Sequence, residues 1–334
     1  MKVLVTGGSG FLGRAVVEQL VSSDHDVTLL VRPARSIAED PDGRTSIVRG
    51  DLRERGQWME EIGGHDVVVH LAAATSGDFN TQFASTVVAT ENLVAALERH
   101  PPSRLVHISS FSVYDYTRPA TGAALDEEAH LEGEPLRRDA YTRCKLLQEG
   151  IVREFADRSK VELVVLRPGA IFGPGTEWDH GAAIRVGRFA LVFAPRARMR
   201  LIEVNSCARA IVAAVAAPGA AGRTLNLVDD DPPTHFQFFR SCRRRGATSA
   251  IPVPVPWPVV DLIGRFLAVV DGRLLAGRAK LPEILAHRRQ QARWRDFSYP
   301  NASARSALGW RTEQTLDDGI TDMLCGRPSV SDRR

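Results

Sequence analysis

The first half of the chain alternates short apolar segments with longer segments in which apolar residues recur at helical spacing. The apolar segments predict strands at 2–6, 26–32, 45–51, 66–73, 104–110 and 161–168, and the amphipathic segments predict helices at 11–23, 81–100 and 141–158. Short buried strands that alternate with helices are typical of a parallel sheet with helices on both faces. We therefore expect an α/β fold built around a doubly wound parallel sheet.

The second half of the chain loses this rhythm after residue 168. A loop is predicted at 173–183, and a helix at 205–217 with a strand at 224–228 predict a return to the sheet. From residue 229 the pattern predicts short helices, with a proline-rich stretch at 251–258. We expect a main domain at 1–168 and 201–228, a smaller, mostly helical C-terminal substrate lobe at 169–200 and 229–326, and a flexible tail at 327–334.

Three glycines, Gly7, Gly10 and Gly13, lie between the first predicted strand and the first predicted helix, in the stretch VTGGSGFLG. Glycine allows a tight turn and lets backbone N–H groups approach a pyrophosphate, while the N-terminus of the helix faces its negative charge. A purely structural turn also uses glycine, but a strand before it and a helix after it are the context of a dinucleotide site. The loop therefore predicts a Rossmann-type domain that binds a dinucleotide.

The end of the second strand is the position that selects between the two nicotinamide dinucleotides. An acidic residue there would accept hydrogen bonds from the ribose of NAD, but this chain has Arg32 and then Arg35. The planar guanidinium suits a 2′-phosphate, because it can donate two parallel hydrogen bonds. The alternative is that both are solvated surface arginines. The pattern favours NADP and leaves NAD open.

Composition and charge exclude several classes of protein. Hydrophobic residues make up 44% of the chain and charged residues 25%, as in an ordinary globular protein, and a net charge of +3 gives no case for nucleic acid. The four cysteines are widely spaced, so we expect free thiols and no metal site. The N-terminus, MKVLVTGG, has no secretory pattern, and no apolar run is long enough to span a bilayer, so we expect a cytoplasmic protein.

A tyrosine and a lysine lie one helical turn apart in the stretch DAYTRCKLLQEG. The chain contains only four tyrosines and four lysines, and Tyr141 and Lys145 are one of each. Residues four apart share one face of a helix, so the two side chains would act at the same place. An exposed pair on an amphipathic helix is the alternative.

Several further motifs occur in order along the chain: TGGSGFLG, GDL at 50–52, HLAA at 70–73, HISSFSVYD at 107–115, YTRCK at 141–145, LRPGAIFGPG at 166–175 and NASARSALGW at 301–310. In this order and spacing they resemble the extended short-chain dehydrogenases/reductases, also called the NAD-dependent epimerase/dehydratase family. The resemblance covers nearly the whole chain. Thr86 stands where relatives often carry asparagine.

The resemblance implies a catalytic triad of Ser110, Tyr141 and Lys145. It implies that Asp51 and Leu52 border the adenine, with Asp51 on its exocyclic amine. The cofactor-binding residues that it implies, together with the two arginines, are Gly7, Gly10, Phe11, Leu12, Gly13, Arg32, Arg35, Asp51, Leu52, Leu71, Ala72, Ala73, Tyr141, Lys145 and Pro168.

The implied chemistry is proton exchange beside a hydride transfer. A free tyrosine has a pKa near ~10, and a nearby ammonium favours the phenolate and lowers that pKa. Ser110 would hold the substrate oxygen beside Tyr141, which gives or takes the proton. Lys145 would also hydrogen-bond the nicotinamide ribose.

Departures from the family pattern narrow the substrate. No acidic pair follows Ser110, as it does in nucleotide-sugar dehydratases, because Phe111 and Ser112 occupy those positions. Gly169 follows Pro168 where a diphosphate-binding asparagine is common. At the position of a family arginine stands Met199, flanked by Arg198 and Arg200. The aromatic residues of the lobe are core or pocket residues, namely Phe172, Trp178, Phe189, Phe193, Trp257 and Phe266.

These departures favour an apolar carbonyl or alcohol substrate, with Ser112, Phe172 and Trp178 as substrate-binding residues. The resemblance is then to the 3β-hydroxysteroid dehydrogenase-like and ketoreductase branch. A nucleotide-sugar epimerase or reductase is the alternative enzyme, and a non-catalytic NADP-binding regulatory protein is a third interpretation.

Two kinds of partner are also predicted. The resemblance implies a homodimer through the helices at 81–100 and 141–158. The stretch 252–280 pairs apolar residues with arginines, and a helix of this kind that starts near Val259 can lie on a membrane surface. The alternative is that Leu262, Phe266 and Val269 pack into the substrate lobe.

Overall fold

The computed structural model describes residues 1–34, 44–176, 183–274 and 287–325. Two residues predicted for the site, Arg35 and Trp178, lie outside the described residues, as does the predicted tail. The strands are β1 (Lys2–Thr6), β2 (Asp26–Val31), β3 (Thr45–Arg49), β4 (Val67–His70), β5 (Arg104–Ile108), β6 (Glu162–Pro168), β7 (Ala170–Phe172), β8 (Ala183–Val186), β9 (Phe189–Phe193), β10 (Leu201–Glu203), β11 (Thr224–Leu227) and β12 (Ile251–Val255).

The helices that flank and follow these strands are α1 (Phe11–Ser22), α2 (Trp58–Glu61), α3 (Phe79–Phe83), α4 (Ala89–Leu97), α5 (Ala140–Ser159), α6 (Val204–Ala216), α7 (His235–Arg244), α8 (Trp257–Leu274), α9 (His287–Trp294), α10 (Ala302–Leu308) and α11 (Leu316–Cys325). Among the described residues, no helix is both long enough and apolar enough to cross a bilayer.

A seven-stranded sheet forms the centre of the molecule, in the order β11-β6-β5-β4-β1-β2-β3. Every neighbouring pair is parallel. One face packs against α1, α6 and α10 and the other against α2, α4 and α5, each through its own apolar cluster. The predicted α/β fold is confirmed, and so is the return of the chain to the sheet as β11. The strand order reverses between β1 and β4, which is where such sheets bind ligands.

The predicted long helix at 81–100 is divided into three parts. Between α3 and α4 the residues Ala84–Val88 form a π-helical turn. The Thr86 hydroxyl accepts a hydrogen bond from Ala74 N at 3.0 Å, and the Thr86 carbonyl accepts one from the Thr90 hydroxyl at 2.6 Å. These contacts tie the wide turn to the loop after β4. Turns of this kind often occur at functional sites, and helical periodicity alone does not reveal them.

The C-terminal lobe contains strands that the sequence analysis missed. β8 and β9 form an antiparallel hairpin, β12 adds to β9 in parallel, and β7 pairs with β10. β12 lies at the edge of its sheet and contains Pro252 and Pro254. The N–H of Ile251 donates toward the β9 side of the strand. The backbone nitrogens of Pro252 and Pro254 therefore face the open edge, where the missing N–H of proline costs no sheet hydrogen bond. The smaller lobe therefore contains short strands beside its helices α7 to α11, which account for most of its regular structure.

The α8 helix leaves its apolar face uncovered. Leu262 is 68% exposed, Phe266 65% and Val269 50%. The interpretation that these three side chains pack into the substrate lobe is wrong. The helix is held instead on its other side, where Val260 packs against Trp294.

Candidate active site

A cleft of about 870 Å³ opens at the carboxyl ends of the parallel strands, at the point where their order reverses. Every described residue of the predicted cofactor set lines this cleft. Ser110 and Ser112 line it as well. The structure therefore brings together residues that are separated by up to 161 positions from Gly7 to Pro168. What each of them binds remains a prediction.

The glycine loop has the shape of a cradle for a phosphate group. Gly7 has a φ of +75°, and a Cβ added there would lie 2.8 Å from the backbone N of Ala72. A Cβ on Gly13 would lie 2.2 Å from the Gly7 carbonyl oxygen. α1 begins directly after Gly10, which has no side chain to cap the helix. Its first N–H groups are left for a ligand, so the loop fits a dinucleotide pyrophosphate.

Two arginines lie at the end of the cleft formed by β2 and β3. Arg32 follows β2 directly, as predicted, and lines the cleft. Arg53 was not predicted, and its Nη2 lies 2.6 Å from Oδ2 of Asp51. This hydrogen bond lowers the pKa of Asp51, so the carboxylate is charged. Asp51 thus holds Arg53 at the cleft besides any contact that it makes with an adenine.

The start of α5 positions Tyr141 and Lys145. The Asp139 side chain accepts a hydrogen bond from Thr142 N at 2.8 Å and caps the helix. Because the helix begins at Ala140, Tyr141 lies in its first turn and Lys145 one turn later on the same face. Both residues line the cleft.

Ser110 follows β5 and has its hydroxyl oriented by the backbone. Its Oγ accepts a hydrogen bond from Ser112 N at 3.1 Å, which occupies one lone pair, so the hydroxyl hydrogen can point to another acceptor. Burial raises the pKa of Tyr141, and a hydrogen bond with Ser110 opposes that effect. The two hydroxyl groups are thus neighbours in the cleft.

Arg138 ties the loop that carries Ser110 to the helix that carries Tyr141. Its guanidinium donates to the carbonyl oxygens of Ser112 and Tyr114, each at 3.2 Å, and to the hydroxyl of Thr142 at 3.3 Å. Buried Glu132 balances its charge at 3.1 Å. An ion pair without access to water is costly to break, so this bridge fixes the spacing between the loop and the helix.

Lys145 is buried, and two of its three donors are occupied. Nζ donates to the Ile108 carbonyl at 2.7 Å and to Oε1 of Gln148 at 2.9 Å. The amide nitrogen of Gln148 then donates to the carbonyl of Ala72 at 3.0 Å and the hydroxyl of Thr90 at 2.8 Å. One ammonium hydrogen is left for the cleft.

The burial of Lys145 weakens its hold on a proton. Desolvation lowers its pKa to about 7, although the Glu149 carboxylate acts in the opposite direction. Glu149 keeps its own charge: burial raises its pKa, but hydrogen bonds from Arg167 and Ser109 outweigh this and lower it. The sequence analysis singled out neither Gln148 nor Glu149, although both lie on the same helix.

The structure places the predicted substrate-binding residues Ser112 and Phe172 in different environments. Ser112 lines the cleft, and its Oγ has no hydrogen-bond partner among the described residues. Phe172 is only 1% exposed and packs edge-on against Phe238 in a separate apolar cluster with Met199. It therefore belongs to the core and not to the cleft, which corrects the prediction.

Arg200 is the lobe residue that the prediction missed. It lines the cleft with Ala170, whose N–H donates to the Arg200 carbonyl at 2.7 Å. The signal was present in the sequence, since Arg198 and Arg200 flank Met199 at the position of a family arginine. Met199 is buried, whereas Arg200, directly before β10, lines the cleft.

Comparisons with known proteins agree with this arrangement. A protein-family model described as "NAD dependent epimerase/dehydratase family" matches residues 3–227. The 2-alkyl-3-oxoalkanoate reductase of Stenotrophomonas maltophilia is 27% identical, over 96% of this chain and 97% of its own. The sterol-4-alpha-carboxylate 3-dehydrogenase (decarboxylating) of Candida albicans is 25% identical, over 96% of each chain. The solved structure of UDP-glucuronic acid 4-epimerase from Bacillus cereus has a TM-score of 0.70 at 17% identity, covers 98% of both chains, and shows the same fold.

Proposed function

Because the chain belongs to the NAD-dependent epimerase/dehydratase family, we propose that it is an NADP-dependent oxidoreductase that interconverts a ketone and a secondary alcohol. Curated relatives of the chain include NAD(P)-dependent reductases and dehydrogenases. The observation that carries the proposal is that Ser110, Tyr141 and Lys145 line the same cleft as the glycine loop. A binding protein without catalysis has no use for such a triad beside its cofactor.

The dinucleotide would lie along the cleft, with the pyrophosphate on Gly7, Gly10 and Gly13. The adenosine end would lie between Arg32 and Asp51, because both line the cleft at the ends of β2 and β3. When bound, the nicotinamide supplies the hydride donor for a ketone or the hydride acceptor for an alcohol.

The chain's own residues handle the substrate oxygen and its proton. Ser110, whose hydroxyl hydrogen-bonds with Tyr141 in the structure, donates its hydrogen to that oxygen when the substrate is bound. In the direction of reduction Tyr141 donates its proton to the oxygen, and in the direction of oxidation it takes the proton back. Lys145 lines the cleft beside Tyr141, and its ammonium charge would favour the phenolate of Tyr141 when the lysine is protonated.

A ketone or an alcohol suits this cleft better than a sugar nucleotide that must lose water. Phe111 is buried and Ser112 carries no acid, so no carboxyl group follows Ser110 to drive dehydration. Met199 lies in the core of this chain. At the same position of the family pattern stands an arginine that would contact a diphosphate. The 2-alkyl-3-oxoalkanoate reductase of S. maltophilia, which is similar to nearly the whole chain, is likewise named for the reduction of an oxo group.

NADP is proposed as the cofactor because of the charge at the end of β2. Arg32 and Arg53 both line the cleft there. A charge-assisted hydrogen bond to a 2′-phosphate is worth about 1.5–3 kcal/mol, which corresponds to roughly ten- to a hundredfold in affinity. NADPH should therefore bind more tightly than NADH by this factor, and Arg32→Ser should reduce the difference. Fluorescence titration of both cofactors measures it, and equal affinities in the unaltered protein would refute the preference.

The activity itself is tested with a panel of ketones, their alcohols and UDP-sugars. Stoichiometric consumption of NADPH with a ketone, or formation of NADPH with an alcohol, supports the proposal. Interconversion of UDP-sugars without net change in the cofactor would replace it with the epimerase alternative. Tight cofactor binding without turnover of any substrate class would favour the regulatory interpretation.

We also propose that the chain forms a homodimer through α3, α4 and α5. Leu147 of α5 is 47% exposed, so an apolar side chain is available on that surface. Light scattering coupled to size-exclusion chromatography should give twice the mass of the 36.6 kDa chain.

A further inference from the structure

Arg200 places a positive charge on the lobe side of the cleft. Its guanidinium lies over the ring of Tyr116 at 5.0 Å, and the Tyr299 hydroxyl also hydrogen-bonds with it. Both tyrosines are buried. Arg200 is partly exposed as a residue and lines the cleft. The aromatic ring and the hydroxyl therefore hold the charge in place without neutralising it.

Two buried carboxylates, those of Glu132 and Glu149, are engaged by arginines other than Arg200. Glu132 pairs with Arg138 at 3.1 Å and with Arg288 at 2.6 Å. Glu149 pairs with Arg167 at 2.5 Å. In the part of the chain that the structure describes, no carboxylate lies within ion-pair distance of Arg200. Its charge is thus available to a ligand, and a water-poor cleft strengthens such an interaction.

Arg200 is linked by direct contacts to the residues that handle the substrate oxygen. The Tyr116 hydroxyl, beneath the guanidinium, donates to the Phe111 carbonyl at 2.8 Å. Phe111 follows Ser110 directly and also lines the cleft. A ligand whose oxygen contacts Ser110 would therefore lie in the same part of the cleft as Arg200.

We propose that Arg200 binds a carboxylate of the substrate, so that the enzyme acts on an oxo acid or hydroxy acid rather than on a neutral ketone or alcohol. The inference rests on the proposed function, whose substrate class it narrows. A single guanidinium matches the one negative charge of a carboxylate and can bind it through two parallel hydrogen bonds. A diphosphate would need more positive charge, and on the lobe side the family position that would supply it is the buried Met199.

The test compares a 3-hydroxyalkanoate of medium chain length, 3-hydroxydecanoate, with its methyl ester, which differs only in charge. Binding is measured by calorimetry with NADP⁺ present, and turnover is followed in the same samples by formation of NADPH. The acid should bind about ten- to a hundredfold more tightly than the ester. Arg200→Met should abolish the preference, and Arg200→Lys should restore part of it. Arg198→Met is the matched control, because Arg198 is exposed and does not line the cleft.

The outcomes separate this inference from the proposed function. Equal binding of acid and ester by the unaltered protein, or a preference that survives in Arg200→Met, would overturn the role of Arg200. Tighter binding of UDP-glucose than of the acid would overturn it as well. Turnover of the ester at the rate of the acid would support the proposed oxidoreductase activity and contradict the recognition of a substrate carboxylate. Selective binding of the acid without hydride transfer to any substrate would retain Arg200 and contradict the proposed function.

Discussion

The two sides of the cleft are held in different ways. On the side of the central sheet, the proposed catalytic residues are held by buried contacts: Lys145 is bound by Ile108 and Gln148, and the loop of Ser110 is bound to α5 by Arg138. On the lobe side, Arg200 lies over one ring and near one hydroxyl, and α8 leaves an apolar face exposed. The sheet side thus fixes the chemistry, and the lobe side offers fewer, replaceable contacts that suit substrate choice. Substitutions should therefore affect every substrate on the sheet side and only particular ligands on the lobe side.

The largest effect is expected at Tyr141, on the sheet side. Tyr141→Phe removes the hydroxyl that exchanges the proton, so kcat should fall by roughly 10²–10⁴ for every substrate of the enzyme. Affinity for the cofactor should stay near that of the unaltered protein, because the ring still fills its place. Steady-state kinetics and cofactor titration measure the two quantities. Near-full activity of this variant would refute the proton-transfer role of Tyr141. A loss of activity confined to one substrate would contradict the expectation that sheet-side substitutions affect every substrate.

A second effect concerns the stability of the cofactor-free chain. Burial lowers the pKa of Lys145 to about 7 in the folded protein, against an ordinary value near ~10.4. Between these values the unfolded chain binds more protons than the folded one, so the contribution of Lys145 to the free energy of unfolding rises with pH. Below about pH 7 the slope vanishes, because the lysine is charged in both states.

Lys145→Met should abolish this slope. Subtracting its free energy of unfolding from that of the unaltered protein cancels the titration of distant groups. His70, Cys144 and Glu149 are electrostatically coupled to Lys145, so their titration is not cancelled in the same way. Denaturant titrations from pH 6.5 to 9.5 should give a difference that increases with pH in favour of the unaltered protein. A flat difference would show that Lys145 is solvated and that the buried network beneath it does not perturb it.

The sheet side was largely predictable from the sequence because its signals are local. Gly7, Gly10 and Gly13 follow a strand and precede a helix, and Tyr141 and Lys145 share one helical turn, so neighbouring residues define each motif. Gln148 and His70 are 78 positions apart, and their contact depends on how α5 packs on the sheet. No short pattern carries that information.

The lobe side was less predictable because its residues are placed by contacts between distant segments. Phe172 was assigned to the substrate because it is aromatic, but the packing of β7 turns it into the core. Arg200 was noticed only as a neighbour of a family position. The hairpin of β8 and β9 turns at Gly187, which has a φ of +60°. The sequence analysis does not predict this hairpin. The prolines of β12 look like a linker because edge strands tolerate residues that central strands exclude.

A smaller effect is expected from the glycine loop, again on the sheet side. Gly13→Ala would put a Cβ 2.2 Å from the Gly7 carbonyl, so the backbone of the loop must shift. Overpacking of this kind costs about 1–3 kcal/mol. Cofactor affinity should fall by about ten- to a hundredfold.

The matched control for this variant is Gly150→Ala. Gly150 lies in α5, and an added Cβ there would meet no atom within 4 Å. It should leave cofactor binding unchanged and raise the stability by about 0.4–1 kcal/mol. Equal cofactor affinities in the two variants would contradict the role of the loop as a cradle.

The smallest effect is expected on the lobe side, at the exposed face of α8. We propose that this face makes a weak contact with an anionic membrane surface. Val259, Leu262, Ile263, Phe266 and Val269 recur at helical spacing, and each is between 45% and 68% exposed. Burying such side chains among lipid chains gains about 25 cal/mol per Å² of apolar surface, which is enough for reversible binding and far too little for anchoring. Arg265 adds little charge, because Asp261 pairs with it at 2.8 Å.

Co-sedimentation with phosphatidylserine-containing vesicles at low salt measures this contact. The unaltered protein should sediment partly, and a double variant with Leu262→Ser and Phe266→Ser should sediment several-fold less, because it loses the two most exposed apolar side chains of the helix. Leu136→Ser removes an apolar side chain that is 80% exposed and lies outside α8, so it serves as the control, with sedimentation unchanged. Turnover of a water-soluble substrate should be equal in all three proteins, since α8 residues do not line the cleft. Vesicles that fail to sediment the unaltered protein would remove the membrane contact and leave the exposed face of α8 to a protein partner.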